Sequence, residues 1–263
     1  METLRELTVD DVPACLALAA DRGWSREEGK WRLLLRVGTG FGLFDGDELV
    51  GTTIVTPFGA EHAAVSMVLV ASRSGGRGLG RRLVEHALEV TSAPVVSLHA
   101  TEFGRPLYER LGFRSVGRVT AHFGVFAGVR PGVSRPAGEA DRARVVAQDA
   151  AAFGADRSAL WSALWEFASQ VRVVPEGHAV SWREGEVETV GVVAPSVGVA
   201  RDLVADMSPD VTVRVDVAEP KLGGWLAEHG VVPRHTVDLM VRGAAELPGD
   251  RGRLFSPVMQ ALG

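Results

Sequence analysis

Four glycines fall within six residues at Gly75-Gly76-Arg77-Gly78-Leu79-Gly80. Before them runs the apolar, β-branched stretch Val68-Leu69-Val70. After them Leu79, Leu83 and Ala87 recur at every fourth place, with Val84 and Leu88 beside them. That spacing predicts a strand, a tight loop and a helix. The chemistry such a junction can do is anion binding. Glycines let the backbone turn its N–H groups inward and let a phosphate come close. The helix start adds unpaired donors and the positive end of its dipole. A P-loop would place Gly-Lys-Ser/Thr at the end of the loop, but here Arg81 and Arg82 follow Gly80. A dinucleotide fold would set the loop within a series of strand–helix–strand units.

A third reading rests on resemblance. Gly76-Arg77-Gly78-Leu79-Gly80-Arg81-Arg82-Leu83 resembles the coenzyme A loop of the GNAT superfamily of N-acyltransferases, Arg/Gln-x-x-Gly-x-Gly/Ala between a strand and a helix. Aligned on the helix, the first position is Gly75; Arg73 opens a second match two residues earlier. The departure concerns one side-chain contact and leaves the backbone cradle. A second stretch, Phe103-Gly104-Arg105-Pro106-Leu107-Tyr108-Glu109-Arg110-Leu111-Gly112-Phe113, is similar to the family's short helix ending in Tyr-Glu-x-Leu-Gly-Phe. In that family the tyrosine protonates the departing thiolate, and Tyr108 is the only tyrosine of this chain. A phenol with a pKa of about 10 stays protonated at neutral pH and can still donate as sulfur gains charge.

The resemblance implies direct transfer of an acyl group, acetyl by expectation, from acetyl-coenzyme A to a primary amine on a small molecule, peptide or protein. The backbone of Met67, Val68, Leu69 and Val70 would hydrogen-bond the pantetheine as an added strand does. The N–H groups of Gly75, Gly76, Arg77, Gly78, Leu79, Gly80 and Arg81 would hold the pyrophosphate. The amide of Leu69 would polarise the thioester carbonyl. Tyr108 would be the acid. His99 and Glu102 flank the end of the following strand and are the candidate bases. The alternative function is a non-catalytic acyl-coenzyme A sensor or interaction module.

The elements that must position these groups follow from periodicity. A strand over 4–9 precedes a helix capped by Asp10 and Asp11, with Pro13 in its first turn. Ser25, with Glu28 three residues on, predicts a capping box for a second helix through Trp31, Leu34 and Leu35. A hairpin turns at Asp45-Gly46-Asp47, and a strand over 63–71 feeds the loop. After the loop helix come a strand over 94–100, a short helix over 103–111 and a strand over 119–126 that closes the unit. This order resembles that of the α/β GNAT fold with its mixed sheet, complete by about residue 128.

The Pro/Gly-rich join 129–136 then leads to a second unit, 137–263. Its element order repeats the first: helices over 140–153 and 157–168, strands near Val171, Ala179 and Val187, a helix over 199–207, a strand over 211–217, a short helix over 221–229 and a strand over 236–241. Trp225 to Val231 can be laid on Leu107 to Phe113, which sets Leu226 at the place of Tyr108. Pro195-Ser196-Val197 lies on the start of the glycine loop; the proline removes an N–H and valine replaces Arg77. The second unit is thus expected to be a degenerate GNAT-like copy, silent in catalysis and forming one wall of the acceptor pocket. The apolar stripe Leu160, Trp161, Leu164, Trp165 is expected to pack between the units.

Composition narrows the function classes. The 263 residues carry a formal charge of −5, which speaks against general nucleic-acid binding. Between Ala71 and Arg118, however, eight arginines face four glutamates, a local field suited to a polyanionic ligand. No apolar stretch reaches membrane-span length, and the N-terminus lacks a leader pattern. Cys15 is the only cysteine, so no internal disulfide forms, which suits the cytoplasm. No Cys/His spacing suggests a metal.

Overall fold

The structure is a computed structural model and describes residues 2–208 and 210–263. The first half runs β1 (Thr3–Glu6), α1 (Val12–Asp21), α2 (Glu28–Val37), β2 (Thr39–Asp45), β3 (Glu48–Phe58), β4 (His62–Val70), α3 (Leu79–Val90), β5 (Val95–Ala100), α4 (Arg105–Arg110) and β6 (Arg114–Val125). The second half repeats it as β7 (Arg135–Pro136), α5 (Arg142–Phe153), α6 (Ser158–Phe167), β8 (Gln170–Val174), β9 (Gly177–Glu184), β10 (Val187–Val193), α7 (Val197–Met207), β11 (Thr212–Val217), α8 (Pro220–Glu228) and β12 (Val232–Arg242). One further strand, β13 (Leu254–Ser256), follows.

The thirteen strands of the described residues join one sheet, in the order β1-β2-β3-β4-β5-β12-β6-β11-β10-β9-β8-β7, with β13 beside β10. The two halves exchange their last long strands. β12 lies between β5 and β6, with Leu239 opposite His99, and β6 lies between β12 and β11, with His122 opposite Val215. The expectation that the strand after the short helix closes its own unit is therefore corrected. β6 completes the second half of the sheet, and β12 completes the first. A strand's alternation sets its face but not its neighbour, so nothing local could specify this exchange.

Most pairs are antiparallel; the exceptions are β4 with β5 and β10 with β11. β4 and β5 pair only over His62–Ala64 and Val95–Ser97, and then diverge. The divergence opens a cleft at the C-terminal ends of both strands. β4 is apolar along most of its length because both its faces are covered.

One core is shared between the halves. Trp31 and Leu34 of α2 are buried with Leu160, Trp161 and Leu164 of α6. The expected packing role of that stripe is what the structure shows. Inside this layer Arg157 and Asp149 form a bidentate pair at 2.7 and 2.8 Å, both side chains 2% exposed. Two capping expectations are corrected. α2 starts at Glu28 with no side-chain cap, so Ser25 does not cap it. Thr8, with Asp11, caps a short 3-10 turn that leads into α1.

Candidate active site

The glycine loop folds as the spacing predicts. A 3-10 turn over Ser72–Ser74 leads to Gly76 and Gly78, at φ +76° and +77°, and Gly78 is the N-cap of α3. Asp21, at the end of α1, accepts from Ser72 N and Oγ at 2.7 Å and anchors the base of the loop. A Cβ at Gly76 or Gly78 would meet nothing within 4 Å, so these glycines are required by conformation rather than by crowding. Gly75 N–H donates to Ser72 O, which removes it from the expected cradle. Among the described residues, the amides of Gly76, Arg77, Gly78 and the first turn of α3 have no backbone partner. Arg73, Arg77 and Arg81 rest on Glu48, Glu2 and Glu85. This open ring of donors fits a pyrophosphate.

Next to the loop, β4 carries a bulge. Thr52 pairs with Leu69 but Ile54 pairs with Ser66, so two residues of β4 oppose one of β3. Met67 takes up the kink at φ +51°, and Thr52 Oγ1 donates to its carbonyl at 2.8 Å. Beyond the bulge Ala71 N donates to Val50 O, its directly opposed partner. By alternation Leu69 also turns its N–H and C=O to β3. Its amide does not face the cleft, and the expected role of Leu69 is corrected. Val68 and Val70 turn theirs toward the gap that β5 has left.

Where the cleft deepens lies a cavity of about 320 Å³. Its walls come from five places: Gly23 to Lys30 between α1 and α2, Val65 to Met67 at the bulge, His99 and Thr101 at the end of β5, Arg214, His235 and Val237 from the second half, and Gln260 with Ala261 from the C-terminal tail. Among the described residues, three of its lining side chains carry a buried polar atom without a hydrogen-bond partner, namely Ser66 Oγ, His99 Nε2 and the side-chain amide nitrogen of Gln260. An unpartnered buried polar atom costs about 1–3 kcal/mol, so three at one cavity mark a place that a ligand completes.

His99 sits at the centre of this lining. Its Nδ1 is 2.8 Å from the Gln260 carbonyl, which only accepts, so Nδ1 carries the hydrogen and Nε2 keeps an unpartnered lone pair. Burial pushes its pKa down to about 4. Glu102 is exposed on the turn after β5 and does not line the cavity, so the structure separates the two candidate bases.

Tyr108 is 8% exposed on α4, packed edge-on against Phe113 in a cluster with Val65 and Ala100. Burial pushes its phenol up to about 12. It stands beside the cleft and not in the cavity lining. α4 is held to the loop helix closely: a Cβ at Gly80 would lie 3.5 Å from Leu107 Cδ2 and 3.7 Å from Val70 Cγ2.

The same places in the second half are closed. Ser196 replaces a loop glycine and caps α7 by accepting from Val199 N. Leu226 is fully buried. The gap between β10 and β11 holds the chain's own tail: β13 pairs with β10, and Ala218 N donates to Phe255 O. A Cβ at Gly191 would lie 2.7 Å from Val258 Cα, so the tail rests directly on β10. Sequence reasoning missed β13, and it missed Glu27, Lys30, Arg214, His235 and Gln260 as cavity residues. Only Arg214 and Asp216 gave a signal, as two charges on one face of an otherwise valine-rich strand.

Residues 4–113 match the model of the acetyltransferase (GNAT) family, and residues 145–256 match that of a second acetyltransferase (GNAT) domain. The chain belongs to the GNAT superfamily. It is a tandem member, and the second GNAT match falls on the half whose cleft is closed. An uncharacterized N-acetyltransferase of Bacillus subtilis, YitH, is 25% identical over 281 residues that span 100% of this chain and 99% of that protein. Among solved structures, a proposed acetyltransferase of Pyrococcus horikoshii superposes with a TM-score of 0.85 at 18% identity, covering 100% of this chain and 96% of that one. A GCN5-related N-acetyltransferase of Sphaerobacter thermophilus gives 0.65 at 18%, covering 95% and 98%. These superpositions show the fold. The family as a whole transfers acyl groups. Among the described residues no cluster of His, Cys, Asp and Glu could hold a metal, and no helix is long and apolar enough to cross a membrane.

Proposed function

We propose that the protein transfers an acetyl group from acetyl-coenzyme A to a primary amine, using one site in residues 1–128, with 129–136 as the join and 137–263 as a non-catalytic partner. The carrying observation is continuity. Free amides of Gly76 to Arg81 lead to the free edge of β4 at Val70 and Val68, and that edge ends at a cavity with three unpartnered polar atoms. The thioester brings the activated acyl group; the chain's residues place it. The loop holds the pyrophosphate, and Val70 pairs with the pantetheine in the manner of an added strand. Val68 N–H takes the role of polarising the carbonyl. Tyr108 gives a proton to the leaving sulfur, and the proton that the attacking amine loses returns through solvent to the phenolate, so that amine and thioester become amide and free thiol. His99 Nε2 accepts a hydrogen bond from the incoming amine, holding its lone pair toward the carbonyl.

The cavity has room for a small amine or for one side chain or terminus of a peptide. A cytoplasmic place suits the single buried thiol of Cys15, which burial pushes up to about 12 and keeps unreactive. The test is thermal: acetyl-coenzyme A should raise Tm, because a ligand of the native state stabilises it by mass action. Release of free thiol should then depend on added amine. No stabilisation at millimolar ligand would overturn the assignment, and stabilisation without transfer to any amine would make the protein an acyl-coenzyme A sensor.

A further inference from the structure

We propose that the amine acceptor also carries a carboxylate, and that Arg214, lent by the second half, receives it. This rests on the acyl-transfer reading above and adds a substrate class to it. Arg214 projects from β11 into the cavity of the first half, its side chain 15% exposed. Its Nε and Nη2 donate to the two carboxylate oxygens of Asp216, each at 3.0 Å. Asp216 is fully buried, and the guanidinium lies 5.5 Å from the Phe123 ring centre. The fork is therefore fixed in place, and among the described residues Nη1 donates to nothing.

The other charges of the lining answer each other. Lys30 and Glu27 pair at 2.8 Å. Burial holds His99 neutral, and desolvation lowers the pKa of His235. Among the described residues Arg214 keeps Nη1 without a partner, and Lys30 Nζ, with one bond to Glu27, keeps further donors as well. The unpartnered side-chain amide nitrogen of Gln260 lies on the same lining and supplies a second donor for a two-oxygen group. His99 Nε2 and Ser66 Oγ, unpartnered side-chain atoms of the same lining residues, are acceptors for an amine. The lining thus offers both donors and acceptors, as the two ends of an amino acid require. A diamine would bring a second set of donors against the Nη1 donors of Arg214, which offer no lone pair to receive them.

The experiment uses acetyl-coenzyme A, the full chain, and matched pairs of amines. Each pair is an α-amino acid and its decarboxylated counterpart, with small, apolar, aromatic and polar side chains represented. A charged hydrogen bond to the carboxylate should favour the amino acid by about 10-fold or more in kcat/KM. Arg214→Gln alone would strand a buried carboxylate and destabilise the fold, so the variant is Arg214→Gln with Asp216→Asn, two amides that can bond to each other. It should keep the acetyl-coenzyme A shift in Tm and lose the preference within each pair. Equal or inverted preference in the wild type, preference that survives in the double variant, or no turnover of any pair while acetyl-coenzyme A still binds would each overturn the proposal. Loss of acetyl-coenzyme A binding by the wild type would overturn the acyl-transfer reading itself.

Discussion

Tyr108 keeps its proton across the working range, because burial raises its pKa and no charge nearby lowers it. Tyr108→Phe retains the ring against Phe113 and removes the donor. Turnover should fall by about a hundred- to ten-thousandfold while the acetyl-coenzyme A shift in Tm stays as in the wild type. An unchanged rate would exclude the phenol as the acid. Histidine burial sets the pH behaviour. His62, His99 and His178 are pushed down by burial to about 3, 4 and 4. Unfolded, each would titrate near 6.5. Between these values the unfolded chain binds more protons than the native one, so stability rises with pH there. Their contribution is complete above the unfolded value and is lost as pH falls from about 6.5 toward 4. Melting curves should show Tm dropping over that window; a flat profile would contradict the buried neutral rings. Because His99 stays neutral above this window, the acid limb of the rate should follow the pKa of the amine used. Two amines of different basicity should give displaced limbs, and a common limb near pH 6.5 would argue for an enzyme group instead. At this scale the sequence made Tyr108, His99 and the glycines visible, since each belongs to a short motif or a strand end. Arg214 and Gln260 were not, because their value lies in what faces them from elements far away in the chain.

Among the elements, the loop and β4 carry the cofactor proposal. Gly78 caps α3 at φ +77° in open space. Valine there would be strained by its β-branch rather than blocked by a neighbour, at a cost of about 1–3 kcal/mol, and relaxation would turn the free amides away. Gly78→Val should abolish the acetyl-coenzyme A shift in Tm. The counterpart in the second half has no such place to lose. Pro195 supplies no N–H, Ser196 caps α7 with its own side chain, and β13 covers the edge that β4 leaves open. Calorimetry on the intact chain should therefore count one coenzyme A per chain, absent in Gly78→Val. Two sites, or one that survives that change, would place the working cleft in the wrong half. Element types were legible from periodicity almost throughout, and the repeat located the second set. β13 was not, because Leu254-Phe255-Ser256 is too short to show a period and forms only against β10 and the end of β11. The bulge at Met67 was equally silent, since a register shift leaves no mark on composition.

At the scale of the molecule, the exchange of β6 and β12 makes the halves inseparable. Residues 1–128 expressed alone would leave β5 without β12 and β6 without either neighbour. Open strand edges recruit other chains. That fragment should pair with a second copy or aggregate in light scattering, and a folded monomer binding acetyl-coenzyme A as the full chain does would show the exchange to be dispensable. The exchange also has a consequence for how the protein is made. A ribosome releases the chain from its N-terminus, so the glycine loop, β4 and β5 emerge long before the strand that must lie beside β5. Folding cannot proceed half by half as it does for tandem domains joined by a simple linker. Until residues 232–242 emerge, β5 has an unfilled edge. Arg214, His235 and Gln260 arrive later still, so the cavity acquires that wall only after residue 260 has emerged. A chain truncated before β11 would lack all three and leave the cavity open on that side.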